Sequence, residues 1–248
     1  MEVIDLPPAE NVYVVFYISE RRSFMGQFFS VLILGFFLGM KHATDSDHVI
    51  AVSTIVSRQR KLSMAALIGV FWGIGHTLTI FLVGGAIILF KVVIPHRLGL
   101  TMEFAVAIML VLLGMANFRN ITKANVVANK SHDHDLANSL FDRLGINNGI
   151  RPFLIGIVHG LAGSAAVALL VLDTIKDPYI SIFYLLVFGM GTVVGMMLTT
   201  LGIGAPFILT AGRFTNFNRY LGLTASVLSF VFGIFLMYQL GFVDGLFL

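Results

Sequence analysis

Long uncharged stretches alternate with short polar connections along this chain. Uncharged or nearly uncharged runs cover residues 62–90, 98–118, 152–172, 179–212 and 220–243, with Glu103 the one carboxylate among them. Each is about 20 residues or longer, the length at which an α-helix crosses a hydrocarbon core of roughly 30 Å. Inside lipid only helices and closed barrels satisfy every backbone group, so these runs predict membrane-spanning helices. The first hydrophobic region has a different shape: residues 23–40 are uncharged, 41–48 are strongly polar, and 49–57 turn apolar again. A straight helix over 23–57 would be on the order of 50 Å long, well beyond the hydrocarbon core. The pattern therefore predicts one span broken or strongly tilted at the polar patch, because 49–57 is too short to cross alone. Six spans result, in an all-α integral membrane protein. The expected organisation is an N-terminal segment (1–22), a first three-helix half (23–118), a polar cytoplasmic loop (119–151) and a second three-helix half (152–248).

Composition agrees. Hydrophobic residues make up 57% of the 248 and charged residues only 12%, against roughly 25% in soluble domains. Mean hydropathy is +0.92. A soluble fold of this size has too little interior to hide so much apolar surface. The net charge of +3 provides no basic stripe for phosphates and excludes a nucleic-acid module. With no Cys in the chain, thiolate metal sites, disulfides and a Cys nucleophile are excluded as well.

Lys and Arg set the expected orientation. Ten fall in the connections after the first, third and fifth spans (Arg58, Arg60, Lys61, Arg119, Lys123, Lys130, Arg143, Arg151, Arg213, Arg219), and five on the opposite side (Arg21, Arg22, Lys91, Arg97, Lys176). With six spans both termini then face outward. Glu2, Asp5 and Glu10 replace the positive start of a signal peptide, so the first residues are expected to form an interfacial segment.

The halves echo each other. Gly39-Met40-Lys41-His42 matches Gly156-Ile157-Val158-His159, and Phe71-Trp72-Gly73-Ile74-Gly75-His76 matches Phe188-Gly189-Met190-Gly191-Thr192 with one gap. Leu113-Gly114-Met115 and Phe232-Gly233-Ile234 occupy comparable places in the third and sixth spans. Copies separated by three spans are inverted in the membrane, the plan of many secondary transporters whose interrupted helices meet at the midplane.

The chemistry concentrates in the polar patch. His42, Asp45, Asp47 and His48 place two imidazoles and two carboxylates within seven residues of a hydrophobic span. Ionisable groups are expensive in lipid, and four exceed what helix association needs. Imidazole with carboxylate suits Ni²⁺, Co²⁺ or Zn²⁺ better than ions that prefer all-oxygen shells. On a regular helix His42 and His48 lie about 120° apart in azimuth and ~9 Å apart along the axis, too far to share an ion at ~2 Å bond lengths. Either the helix unwinds between them, or one of them shares the ion with other spans. A proton relay through Asp45 and Asp47 is the rival arrangement. His159 is either a further ligand or a histidine bonded to a neighbouring carbonyl. Ser131-His132-Asp133-His134-Asp135 reads as a solvated loop with a secondary capacity to collect metal, and the scattered methionines read as packing.

The segment Lys41-His42-Ala43-Thr44-Asp45-Ser46-Asp47-His48-Val49 resembles the H-x4-D-H signature helix of the nickel/cobalt transporter family. Phe71-Trp72-Gly73-Ile74-Gly75-His76-Thr77 resembles that family's second motif. The resemblance covers the first three spans well and the second half loosely. Where family members carry later acidic motifs, this chain reads His159-Gly160-Leu161-Ala162-Gly163-Ser164 and Gly189-Met190-Gly191-Thr192, without a carboxylate. In this it looks like the shorter branch of urease-accessory nickel permeases. The resemblance implies uptake of Ni²⁺ or Co²⁺ at the cytoplasmic (inner) membrane, with His42, Asp47, His48 and His76 as metal ligands. From the residues themselves, Asp45, Thr77, His159 and Ser164 are candidates for further ligands or for supports of these.

The expected function is thus a secondary transporter of a divalent transition metal, with the ion as substrate, the bilayer as surroundings and no organic cofactor. Export is the alternative direction. A membrane subunit of an ATP-driven importer would need a partner, because no G-x4-G-K-[ST] motif is present. An intramembrane metallohydrolase lacks its H-E-x-x-H. The chain is not expected to be an enzyme.

Overall fold

A computed structural model describes residues 28–57, 59–91, 95–127, 146–161, 177–211 and 213–247. Seven α-helices are formed by the described residues: α1 (Phe28–His42), α2 (Ser46–Val56), α3 (Leu62–Phe90), α4 (His96–Val127), α5 (Ile146–Gly160), α6 (Pro178–Ala211) and α7 (Thr215–Tyr238). A π-helical turn, Gln239–Val243, prolongs α7, and no strand occurs among the described residues. Four helical stretches are long and apolar enough to cross a membrane: Leu62–Phe90, His96–Thr122, Pro178–Ala211 and Thr215–Val243. The pair α1 and α2, bent by 55°, is apolar and long enough only when taken together, as a broken span or a re-entrant loop. The protein is a multi-pass, all-α membrane protein. Of the expected fourth span, the portion beyond residue 161 lies outside the described residues, as do the N-terminal segment, Ser164 and the His132–His134 tract.

The expected break in the first span is present, and its cause is local. The Thr44 and Asp45 amides donate to the Lys41 and His42 carbonyls, three residues back, which tightens and ends α1. The Thr44 hydroxyl also takes the Lys41 carbonyl at 2.6 Å. Asp45 then adopts an extended conformation (φ −62°, ψ 152°), and its carbonyl accepts the Val49 amide to start α2. Asp45 stands at the N-cap position of α2 without a capping side-chain bond, because its carboxylate is turned to His42.

Elsewhere the helices differ from the expected spans at their ends. α4 continues through Arg119 to Val127, and α5 begins at Ile146, ahead of Pro152. Hydropathy marks where lipid ends, whereas a helix can continue into the polar zone. α3 stops at Lys91, whose φ of 51° is left-handed and terminates the hydrogen-bond ladder.

Side chains are distributed inside out. Phe37, Leu82, Leu112 and Phe235 are exposed, while Thr54, Thr192, Thr200, Ser226, Ser229 and the histidines of the polar patch are buried. The interior hydroxyls bond to carbonyls, as Ser229 does to Leu110 on α4 at 2.8 Å. Asn117 on α4 donates to Ser57 at the end of α2 (3.0 Å) and to Ser226 on α7 (2.9 Å), fastening the far end of α2.

Small residues let the helix backbones touch, and these contacts come in matched pairs. A Cβ on Gly39 of α1 would run into the Phe188 carbonyl of α6 and lie 2.9 Å from the Thr192 nitrogen. A Cβ on Gly156 of α5 would run into the Trp72 carbonyl of α3 and lie 2.9 Å from the His76 nitrogen. Gly191 abuts the Phe36 carbonyl as Gly75 abuts the Phe153 carbonyl. On α4 and α7, a Cβ on Gly114 would lie 2.6 Å from the Ser226 carbonyl and 2.7 Å from the Phe230 nitrogen. A Cβ on Gly233 would lie 2.9 Å from both the Ala107 carbonyl and the Val111 nitrogen.

Candidate metal centre

The bend between α1 and α2 decides the geometry of the site. By turning the chain after His42, it brings the rings of His42 and His48 to 4.7 Å between centroids, where a continuous helix would hold them apart. α3 contributes His76 from the turn following Trp72, and α5 contributes His159 from its last turn. The His48 ring centroid lies 5.1 Å from that of His76 and 4.1 Å from that of His159. All four imidazoles are buried, three of them at 0–1% exposure.

Polar contacts tie the four rings to the two carboxylates. His42 Nε2 and His76 Nε2 are 3.0 Å apart, and His42 Nδ1 is 2.9 Å from Asp45 Oδ2. Asp47 spans two helices: Oδ1 is 3.0 Å from His48 Nδ1 and Oδ2 is 2.9 Å from His159 Nε2. Oδ1 also accepts the His48 backbone N–H. Three imidazole nitrogens, His48 Nε2, His76 Nδ1 and His159 Nδ1, are buried without a hydrogen-bond partner. Buried polar atoms are normally satisfied, so these orphaned atoms fit a centre that binds something.

The spacing of these atoms fits a transition-metal ion. Two nitrogens bound to one ion at about 2.0–2.1 Å with bond angles of about 90–110° lie roughly 3 Å apart, the separation of His42 Nε2 from His76 Nε2. Among the described residues, two triads offer ligand atoms within 4.8 Å of one another: His42, His48 and His76, and Asp47, His48 and His159.

The sequence candidates therefore divide. His42, Asp47, His48, His76 and His159 are brought together, and Asp45 stands behind His42 at 43% exposure. Thr77 is not part of the cluster; its hydroxyl donates to the Gly189 carbonyl of α6 at 3.1 Å. One helical position after His76 points to a different neighbour, so adjacency in sequence does not give support to the ring.

Two aromatic flanks were not evident from sequence. Trp72 lies 5.5 Å from His48 and 5.4 Å from His159, and Phe188 lies 5.9 Å from His42. The two belong to the matched segments around Gly73 and Gly189, which was the available signal. Both are buried, and they border the imidazoles with apolar surface.

No protein-family model matches the chain, and no solved structure matches it. A curated relative, the urease accessory protein UreH of Bacillus sp. (strain TB-90), is 43% identical over 218 residues, covering 88% of this chain and 95% of the relative. That places the chain on the urease-accessory side of the resemblance drawn from its motifs, without showing membership of the nickel/cobalt transporter family as such. At this identity and coverage, the chain belongs to the family of urease accessory protein UreH.

Proposed function

We propose that the protein is a secondary transporter that takes up Ni²⁺ across the cytoplasmic (inner) membrane, with both termini facing outward. One observation carries the reading: four buried imidazoles and the half-buried Asp47 carboxylate, from four helices, converge inside a membrane-spanning bundle. Ionisable side chains at such a place mark an ion path, and this ligand set favours a borderline divalent metal. His42, Asp47, His48 and His76 are its ligands, joined by His159. The UreH relationship, together with the resemblance to urease-accessory nickel permeases, favours Ni²⁺ over Co²⁺. The reciprocal glycine contacts support halves that move against each other around a fixed site.

Proteoliposomes containing the purified chain alone test the proposal. Accumulation of radioactive Ni²⁺ without ATP or a partner supports it; no accumulation above empty vesicles overturns it. Lower nickel content in cells expressing the chain would instead assign export.

A further inference from the structure

We propose that the cluster comprises two adjacent metal positions sharing His48, and that a single ion crosses by being handed from one to the other. The inference rests on the transport reading above and adds the path to it. Each triad is complete in itself, and the two meet at His48 alone. Their chemistry differs: one position is three imidazoles, the other two imidazoles and the Asp47 carboxylate.

Their anchors come from opposite halves. His42 ends α1 three residues after Gly39, and His159 stands three residues after Gly156 on α5. Gly39 meets the carbonyl of Phe188 and the nitrogen of Thr192 as Gly156 meets the carbonyl of Trp72 and the nitrogen of His76. His42 and His159 thus occupy equivalent places in the two halves, each with an aromatic flank, Phe188 and Trp72 respectively. His48 has no imidazole counterpart, since Ala165 stands at the matching place in the sequence. It is the unpaired, central ligand. Its Nε2 is buried and unpartnered.

One ion occupies the pair at a time. Two dications this close would repel strongly in a low-dielectric interior, and Asp47 is the one carboxylate within the triads. A shared ligand also suits passage, because binding must be strong enough to admit the ion and divided enough to release it. While His48 stays bound, exchanging His42 and His76 for Asp47 and His159 never leaves the ion without ligands.

Co²⁺ binding by the purified full-length chain, read from its visible absorption spectrum and stoichiometry, tests this without transport. Wild type should bind one Co²⁺ per chain. His42→Ala should leave the Asp47–His48–His159 position, and His159→Ala the three-imidazole position, so each still binds one Co²⁺, with different spectra. Asp47→Asn should reproduce the His159→Ala spectrum, since both leave the same triad. His48→Ala should abolish saturable binding, and in vesicles His42→Ala and His159→Ala should each lower uptake roughly 10–100-fold. Helical circular dichroism and monodisperse elution matching those of wild type show that a variant is folded. Identical spectra for His42→Ala and His159→Ala, loss of binding in either folded variant, or two Co²⁺ per wild-type chain would overturn the proposal. Absence of uptake by wild type would fail the transport reading, while the spectra still decide between one position and two.

Discussion

Nε2 of His42 lies 3.0 Å from Nε2 of His76, although 34 residues separate them in the chain. Two imidazole nitrogens at that distance share one proton as donor and acceptor, or face one ion. Removing one should therefore weaken metal binding rather than only disturb packing. His76→Ala is expected to lower Ni²⁺ affinity by at least the roughly 10–100-fold that loss of an outer-shell partner costs, while the variant remains in the membrane. Calorimetric titration of the purified variant checks this.

Trp72 is the one tryptophan in the chain, and it borders two of the imidazoles. Binding of Ni²⁺ at the cluster is expected to quench its fluorescence saturably. The quench should vanish in His48→Ala and persist in a His132→Ala/His134→Ala double variant. The reverse result would move the metal to the 119–151 connection.

Metal binding requires the deprotonated imidazole, so protons compete with the ion. The concentration of Ni²⁺ giving half the maximal Trp72 quench is expected to rise as pH is lowered. The same titration repeated at several pH values measures it. A flat profile would argue against histidine-dominated coordination.

Gly75→Ala places a methyl group against the Phe153 carbonyl, whereas Gly85→Ala meets nothing within 4 Å. Both sit inside α3, where Ala is favoured over Gly by about 1 kcal/mol. Gly85→Ala should therefore raise the melting temperature of the purified protein or leave it unchanged, and Gly75→Ala should lower it. Scanning fluorimetry distinguishes them.

Asn117→Ala removes the donor that joins Ser57, the residue after α2, to Ser226 on α7. Hydrogen bonds between membrane helices contribute about 0.6–2 kcal/mol, so a small drop in melting temperature is expected. Metal affinity should change little, because Asn117 bonds Ser57 and Ser226 and none of the clustered histidines. Calorimetry on the same sample reads both quantities.

Much of the site was legible from sequence because charge is conspicuous in a hydrophobic run. His42 and His48 could not meet on a straight helix, and the structure resolves this by bending at Ala43–Asp45. The echo of His42 in His159 drew attention to the fourth hydrophobic run, and the structure brings that ring to Asp47. What stayed hidden depends on where side chains point after packing. Thr77 follows His76 directly yet faces α6. Trp72 and Phe188 looked like two of many aromatic residues until the rings beside them were placed. The reach of α4 past Phe118 was hidden too, since hydropathy falls while helical hydrogen bonding continues.

The close approaches at Gly39 and Gly156 also constrain how this sequence can drift. In both, the opposing atom is a main-chain carbonyl, of Phe188 and of Trp72. Every amino acid carries that oxygen, so no replacement at the facing position makes room for a side chain. A library randomised jointly at 39 and 188 should return glycine at 39 whatever residue it returns at 188, and a search for second-site suppressors of Gly39→Ala at that neighbour should come back empty.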